Sequence, residues 1–171
     1  RPSIAVLEDG RFVIAYDEDV PFGGGSGTSS VLARIFNPDG TQSQPEFGPQ
    51  GNANTGAFPA LARLVDGRWI VAWTGQDDGG GHIGDQGIQA RIFNGNESPS
   101  GPAFIVNNPI VNAQAAPEIT AANDGGFIVA WYDTGDNGVH ARIFQNDDSP
   151  AANDFLVGTT FSGNSLNHIA I

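Results

Sequence analysis

The chain repeats one unit of about 57 residues three times, and this repetition limits the possible fold more than any other feature. Its landmarks recur in a fixed order, and the Asp-Gly pair recurs at spacings of 57 and 58 residues. An Asp-Gly pair stands at 9–10, 66–67 and 124–125; an aromatic and aliphatic run at 12–16, 69–73 and 127–131; and the sequence Ala-Arg-Ile-Phe at 33–36, 90–93 and 141–144. Each unit opens with a proline: Pro2, Pro59 or Pro117. The three units are therefore expected to adopt one common fold.

Each unit is expected to form about four short β-strands. The first follows the proline and leads into the Asp-Gly pair, which favours a tight turn. The second is the nearly continuous apolar run, a pattern typical of a strand that is buried on both faces. The third carries Ala-Arg-Ile-Phe, and the fourth is a weaker segment near 46–47, 103–106 and 155–157. No segment favours a helix longer than one turn.

Repeated four-stranded units with both faces buried predict an all-β, β-propeller-like fold. The predicted units are 1–57, 58–116 and 117–166, and 167–171 matches the first strand of a fourth unit or a ring-closing strand. A β-sandwich or a solenoid array is the alternative fold. Since closed propellers typically have at least four blades, we expect either a homo-oligomer or a longer chain to complete the ring.

Composition narrows the functional classes. The chain has 171 residues and a formal net charge of -12, and all seven of its basic residues are arginines. This balance disfavours nucleic-acid binding, because phosphate contacts need clustered cations. Apolar runs are too short for membrane insertion. The absence of cysteine excludes a disulfide scaffold, and the absence of methionine predicts a processed or excised piece of a longer product.

The repeats also resemble a known class of proteins. Unit one contains Ala33-Arg34-Ile35-Phe36-Asn37-Pro38-Asp39-Gly40, whereas units two and three depart from this pattern after the phenylalanine. Repeats of this form resemble tandem repeats in large secreted bacterial proteins of the RTX or hemolysin-type calcium-binding, adhesin-like class. The resemblance implies a secreted, extracellular bacterial protein, and it implies no set of catalytic residues.

The links between the second and third strands are rich in aspartate and glycine, which suits flexible Ca²⁺ coordination by oxygen ligands. A solvated acidic turn is the alternative interpretation. The candidate Ca²⁺ ligands are Asp17, Asp19, Asp77, Asp78, Asp85, Asp133 and Asp136.

Two further rows of equivalent residues are candidates for ligand binding. Arg34, Arg91 and Arg142 occupy one repeat position, and Tyr16, Trp73 and Trp131 occupy another. The arginines could hold a sugar or a carboxylate, but identical repetition favours a role in the scaffold. The aromatic row could stack on a sugar, although an inter-blade core is the favoured interpretation.

The sequence therefore predicts a non-catalytic, calcium-stabilised adhesion or lectin-like module whose partner is a glycan or a cell-surface or matrix protein. One alternative is a polysaccharide-acting enzyme that uses carboxylates from the acidic links. The other is a structural subunit that assembles with itself.

Overall fold

A computed structural model of the protein describes residues 1–20, 28–50, 56–76, 86–108 and 112–159. Regular structure in these ranges consists of β-strands and tight turns, with no helix among the elements formed there. Within the same ranges no helix has the length and apolar character needed to cross a membrane. The all-β prediction is confirmed for the described residues.

The strands form three antiparallel sheets that follow one another along the chain. The first sheet contains β1 (Ser3–Val6), β2 (Phe12–Val20) and β3 (Thr28–Phe36). The second contains β4 (Gly56–Arg63), β5 (Trp69–Gln76), β6 (Gln86–Phe93) and β7 (Phe104–Ile105). The third contains β8 (Gln114–Ala121), β9 (Phe127–Asp133), β10 (Gly138–Phe144) and β11 (Phe155–Thr159).

The fourth strand of each predicted unit is present to a different extent. It is β11 in the third sheet, the two-residue β7 in the second, and only a single bridge between Ala33 and Phe47 in the first. The four-strand prediction therefore holds for two sheets, and the first has three strands and a bridge. The predicted terminal strand at 167–171 lies outside the described residues.

The Asp-Gly pairs form the predicted turns between first and second strands. Gly10, Gly67 and Gly125 have φ angles of +85°, +85° and +98°, a conformation that favours glycine. In each turn the aspartate Oδ1 accepts a hydrogen bond from the backbone N–H two residues later, at 3.0–3.1 Å. These local bonds explain why the same two residues recur in every unit.

Two of the unit-opening prolines lie in irregularities of the first strand. The register shifts between Ala57 and Ala60 in β4, and between Ala115 and Glu118 in β8. Proline has no N–H to donate to the hydrogen bonds between strands. A bulge accommodates the proline, because the neighbouring strand then has no group that lacks a partner. The residues before these prolines, Phe58 and Ala116, have φ angles of +53° and +55°.

The second sheet lies between the other two and buries both of its faces. One face packs on the first sheet through Leu61, Trp69, Val71, Trp73 and Phe93. Its other face packs on the third sheet through Ala60, Leu64, Ile70, Ala72, Ile88, Ala90, Ile92 and Val106. The apolar run in the second strand thus has the two buried faces that its composition predicts.

Candidate functional site

The ends of the second strands bring acidic residues beside the starts of the first strands. Ser3 pairs with Ala15, and Gln114 pairs with Asp133, so these termini share one end of their sheets. We call this region the acidic end and define it by Arg1, Asp17, Glu118 and Asp133. Three of its four members are carboxylates, and they come from two different sheets.

Arg1 joins the carboxylates of the first and third sheets. Its backbone nitrogen contacts Asp17 Oδ1, and its guanidinium Nη2 lies 2.5 Å from Glu118 Oε1. Arg1 and Glu118 are 117 residues apart in sequence. Both carboxylates are partly exposed, so a ligand in solvent has access to this end.

A buried polar chain orients the third carboxylate, Asp133. The backbone N–H of Ile88 donates to Asn107 Oδ1 at 2.8 Å, and Asn107 Nδ2 donates to Gln114 Oε1 at 2.9 Å. Gln114 Nε2 then donates to Asp133 Oδ2 at 3.1 Å. Asn107 and Gln114 are buried, so this chain links the second sheet rigidly to the end of β9.

Among the described residues, the predicted Ca²⁺ ligands do not form one cluster. Asp133 Oδ1 accepts from Gly135 N at 2.7 Å, whereas Asp136 accepts from Gly138 N and contacts His140 Nε2 at 2.9 Å. Within the described ranges, no group of three or more His, Cys, Asp or Glu side chains could hold a metal ion. The structure does not describe four of the candidates: Asp77, Asp78, Asp85 and the side chain of Asp19.

The three equivalent arginines bind carbonyl or carboxylate oxygens of the protein. Arg91 donates from Nε to Gly101 O at 3.0 Å and from Nη1 to Pro49 O at 3.2 Å. Arg142 repeats this pattern with Ala152 O at 3.1 Å and Val106 O at 2.7 Å. In both cases Nε bonds within the arginine's own unit, whereas Nη1 reaches the unit before it. This geometry supports the scaffold interpretation for these two arginines.

Arg34 also bonds through Nε within its own unit, but its acceptor is a carboxylate and not a backbone carbonyl. Its Nε donates to Glu46 Oε2 at 2.6 Å, and the Tyr16 hydroxyl donates to the same oxygen. The Tyr16 hydrogen bond, followed by that of Arg34, holds the pKa of Glu46 below its ordinary value of 4.5. Burial and the bond to Glu46 raise the pKa of Tyr16.

The equivalent tryptophans Trp73 and Trp131 are fully buried between sheets. Neither indole offers a free face for stacking on a sugar in this structure, and this placement favours the inter-sheet core interpretation. Tyr16, at the same repeat position in the first sheet, is partly exposed because no sheet of the described residues covers that side. The residues of the aromatic row are therefore not brought together into one binding platform.

The Tyr16–Glu46–Arg34 cluster predicts a specific pH dependence. A carboxylate whose folded pKa is lowered stabilises the fold above its unfolded pKa, and this stabilisation is lost as pH falls through the folded pKa. We expect Glu46→Gln to lower the free energy of unfolding at pH 7 by less than about 1 kcal/mol. The difference should vanish in strong acid when urea denaturation is measured at both pH values.

Glu18→Gln is the matched control for that experiment. Glu18 is an exposed carboxylate in the same sheet, and its replacement changes the formal charge equally. An equal loss of stability in both variants would show that net charge, and not the Tyr16 and Arg34 contacts, produces the effect.

Several residues of the site were not among the predicted ones: Arg1, Glu46, Asn107, Gln114 and Glu118. One signal in the sequence points to Glu118. It follows the unit-opening proline, where the other units have Ser3 and Ala60. The other units have small residues at this position. A charged residue there indicates that the position does not serve the scaffold common to the three units.

Several solved structures share this fold, including the following two. A glycosyl hydrolase from Bacteroides ovatus has a TM-score of 0.59 and 14% identity, and the match covers 92% of this chain and 51% of that one. Xylan beta-1,4-xylosidase from Bacillus halodurans C-125 has a TM-score of 0.58 and 17% identity, with 91% and 29% covered. The chain thus spans about half of the first protein and under a third of the second. No family model and no curated protein matches the sequence.

These comparisons correct the main functional prediction. Both similar structures carry the names of glycoside-cleaving enzymes, and nothing in the comparisons supports a secreted RTX-type, calcium-binding adhesin. The prediction of a non-catalytic, calcium-stabilised adhesion module is therefore wrong, and the polysaccharide-acting alternative is better supported. At these identities the likeness shows the fold alone, so the activity itself is a proposal.

Proposed function

We propose that this chain forms β-propeller blades of an enzyme that hydrolyses glycosidic bonds in polysaccharides. Three sheets stacked face to face, each built from one copy of a repeat, support the blade architecture. The fold shared with a glycosyl hydrolase and with a xylosidase supports the reaction class.

The observation that carries this proposal is the convergence of Asp17 and Glu118 on Arg1. Glycoside hydrolysis commonly uses two carboxyl groups, one to protonate the leaving oxygen and one to activate water or to attack the sugar carbon. Asp17 and Glu118 belong to different sheets and remain partly exposed, as residues that contact a polymeric substrate must.

Arg1 and the buried polar chain serve as positioning groups in this proposal. The Arg1 guanidinium holds the Glu118 carboxylate at the acidic end through a charge-assisted hydrogen bond. Asn107 and Gln114 hold Asp133 at the end of β9, where its carboxylate is a further acceptor for sugar hydroxyl groups. Such preorganisation reduces the cost of arranging carboxylates during the reaction.

The test is reducing-sugar release from soluble xylan and other plant polysaccharides, together with hydrolysis of aryl glycosides. We expect Asp17→Asn and Glu118→Gln each to lower kcat/KM by at least about 100-fold, because each removes a carboxyl group that acts on the reacting bond. The nearly isosteric amides should leave the circular dichroism spectrum unchanged.

Glu18→Gln serves again as the control, because Glu18 is an exposed carboxylate adjacent to Asp17. It should retain the full rate. The proposal fails if the unaltered chain releases no sugar from any of these substrates. It also fails if both amide variants hydrolyse them at the unaltered rate.

A further inference from the structure

Each sheet has two faces of different composition. One face of the first sheet and the opposite face of the third sheet are not covered by another sheet of the described residues. We call the face that packs on the preceding sheet the leading face, and the opposite one the trailing face. Ile4, on the leading face of the first sheet, is 60% exposed, whereas its equivalents Leu61 and Ile119 are 8% and 9% exposed. Ile143, on the trailing face of the third sheet, is 42% exposed, whereas its equivalents Ile35 and Ile92 are 0% and 5% exposed. The open faces thus expose residues that are buried at both internal interfaces.

Aromatic packing follows one rule at both internal interfaces. Each leading face carries a stacked pair of rings, Phe12–Phe36, Trp69–Phe93 or Phe127–Phe144, with centroids 4.3–5.3 Å apart. A phenylalanine of the preceding sheet lies against that pair. Phe47 is 5.7 Å from Phe93, and Phe104 is 5.8 Å from Phe144.

The third member of that phenylalanine row is Phe155, on the open trailing face. It is 48% exposed, and no following sheet of the described residues supplies a ring pair for it. The pair left uncovered is Phe12–Phe36, at the other end of the stack. Each open end therefore lacks the aromatic group that the other end offers.

The row of equivalent arginines shows the same complementarity between the two open faces. Arg91 and Arg142 donate from Nη1 to the carbonyl oxygens of Pro49 and Val106 in the preceding unit. Pro49, Val106 and Val157 occupy the same repeat position, two residues after the phenylalanine of the fourth strand. By this pattern, the Val157 carbonyl is the acceptor for Nη1 of an arginine in a following unit, and Arg34 is the arginine that would fit it. The Nε of Arg34 already makes the bond within its own unit.

At the turn end, both open faces lack the charged residue that pairs at the internal interfaces. Internally, Arg11 pairs with Glu97, and Arg68 pairs with Asp148 at 2.5 Å. The residue equivalent to these arginines in unit three is Gly126, and the residue equivalent to these acids in unit one is Gly40. At these two positions, joining the open faces would therefore bury neither a lone arginine nor a lone carboxylate, either of which would oppose docking.

We propose that a second copy of this chain docks on both open faces, so that the third sheet of each copy packs on the first sheet of the other. Two copies then form a closed ring of six sheets with two identical contacts. The contact buries Phe155 against Phe12 and Phe36 and places Arg34 beside Val157.

Light scattering after size exclusion tests the docking over a wide range of chain concentrations. We expect twice the 17.8 kDa of one chain for the unaltered protein, and the mass of one chain for Phe155→Arg. Val65→Arg is the matched control, since Val65 is 51% exposed in a turn outside both open faces and the charge change is equal. A single-chain mass for the unaltered protein, or a Phe155→Arg variant that keeps the double mass, would overturn the proposal.

A second experiment identifies the contact without depending on a disruptive variant. Since the chain contains no cysteine, Phe155→Cys and Phe36→Cys each introduce a unique thiol. A mixture of the two variants, treated with a short bismaleimide, should give a 155–36 cross-link between chains, whereas Val65→Cys mixed with Phe36→Cys should give none. Cross-linking of Phe155→Cys only to itself would show a different interface and overturn the proposal. The mass and cross-link readouts are independent of glycoside hydrolysis.

Discussion

Trp73→Ala should lower the free energy of unfolding by about 3–5 kcal/mol, since a large aromatic side chain in a core leaves a cavity when truncated. Trp73 is fully buried between the first and second sheets. A Cβ added at Gly56 or Gly75 would lie within 2.9 Å of its indole, so the backbone already touches the ring closely. Glycines offer no side chain that could move into the vacated space.

Urea denaturation followed by circular dichroism measures this effect, with two reference variants. Trp73→Phe retains most of the ring volume and should cost less than half as much. Val65→Ala removes an exposed side chain and should change stability by less than about 0.5 kcal/mol. A cost below about 1 kcal/mol for Trp73→Ala would contradict close packing of the two sheets.

Asn107→Leu should destabilise the protein by about 2–4 kcal/mol, although it keeps a similar side-chain volume. The variant leaves the Ile88 N–H and the Gln114 Oε1 without their partner, and both groups are at a buried site. Each unsatisfied buried polar group costs about 1–3 kcal/mol. The same change should also loosen Asp133, which receives its hydrogen bond from Gln114.

Asn146→Leu provides the comparison, because Asn146 is exposed in a turn of the third sheet. It should change the free energy of unfolding by less than about 0.5 kcal/mol when both variants are measured by urea denaturation. If the two substitutions cost the same, the buried polar chain does not contribute to the junction between the second and third sheets.

The prediction from sequence succeeded where the deciding interactions are local. Asp9 and Gly10 form a turn through bonds between neighbours, and the period of the apolar residues assigns each side chain of β5 to one face or the other. It fell short for the first unit, whose fourth strand is only the bridge at Phe47. Whether Phe47 forms a bridge or a full strand depends on how it pairs with β3, and no pattern of neighbouring residues predicts that pairing.

The metal site suggested by the acidic, glycine-rich links stays a prediction. Of its described candidates, Asp133 and Asp136 accept hydrogen bonds from backbone N–H groups within their own turn. Short-range bonds of this kind compete with a ligand for the same oxygens. The candidate carboxylate Glu118 lies outside those links, and its contact with Arg1 is seen only in the tertiary structure.

By itself, the sequence determined the repeat, the turns, the all-β class and the sides on which the apolar residues lie, because these follow from neighbours along the chain. Only the tertiary structure decided that Arg1 meets Glu118, that Arg91 and Arg142 reach the preceding unit, and that Phe155 and Phe12 lie at open ends. Such contacts join residues far apart in sequence, and they exist only after the sheets have stacked. Stacking is driven by apolar burial, which is nondirectional, so the polar geometry at the acidic end arises from the packing beneath it.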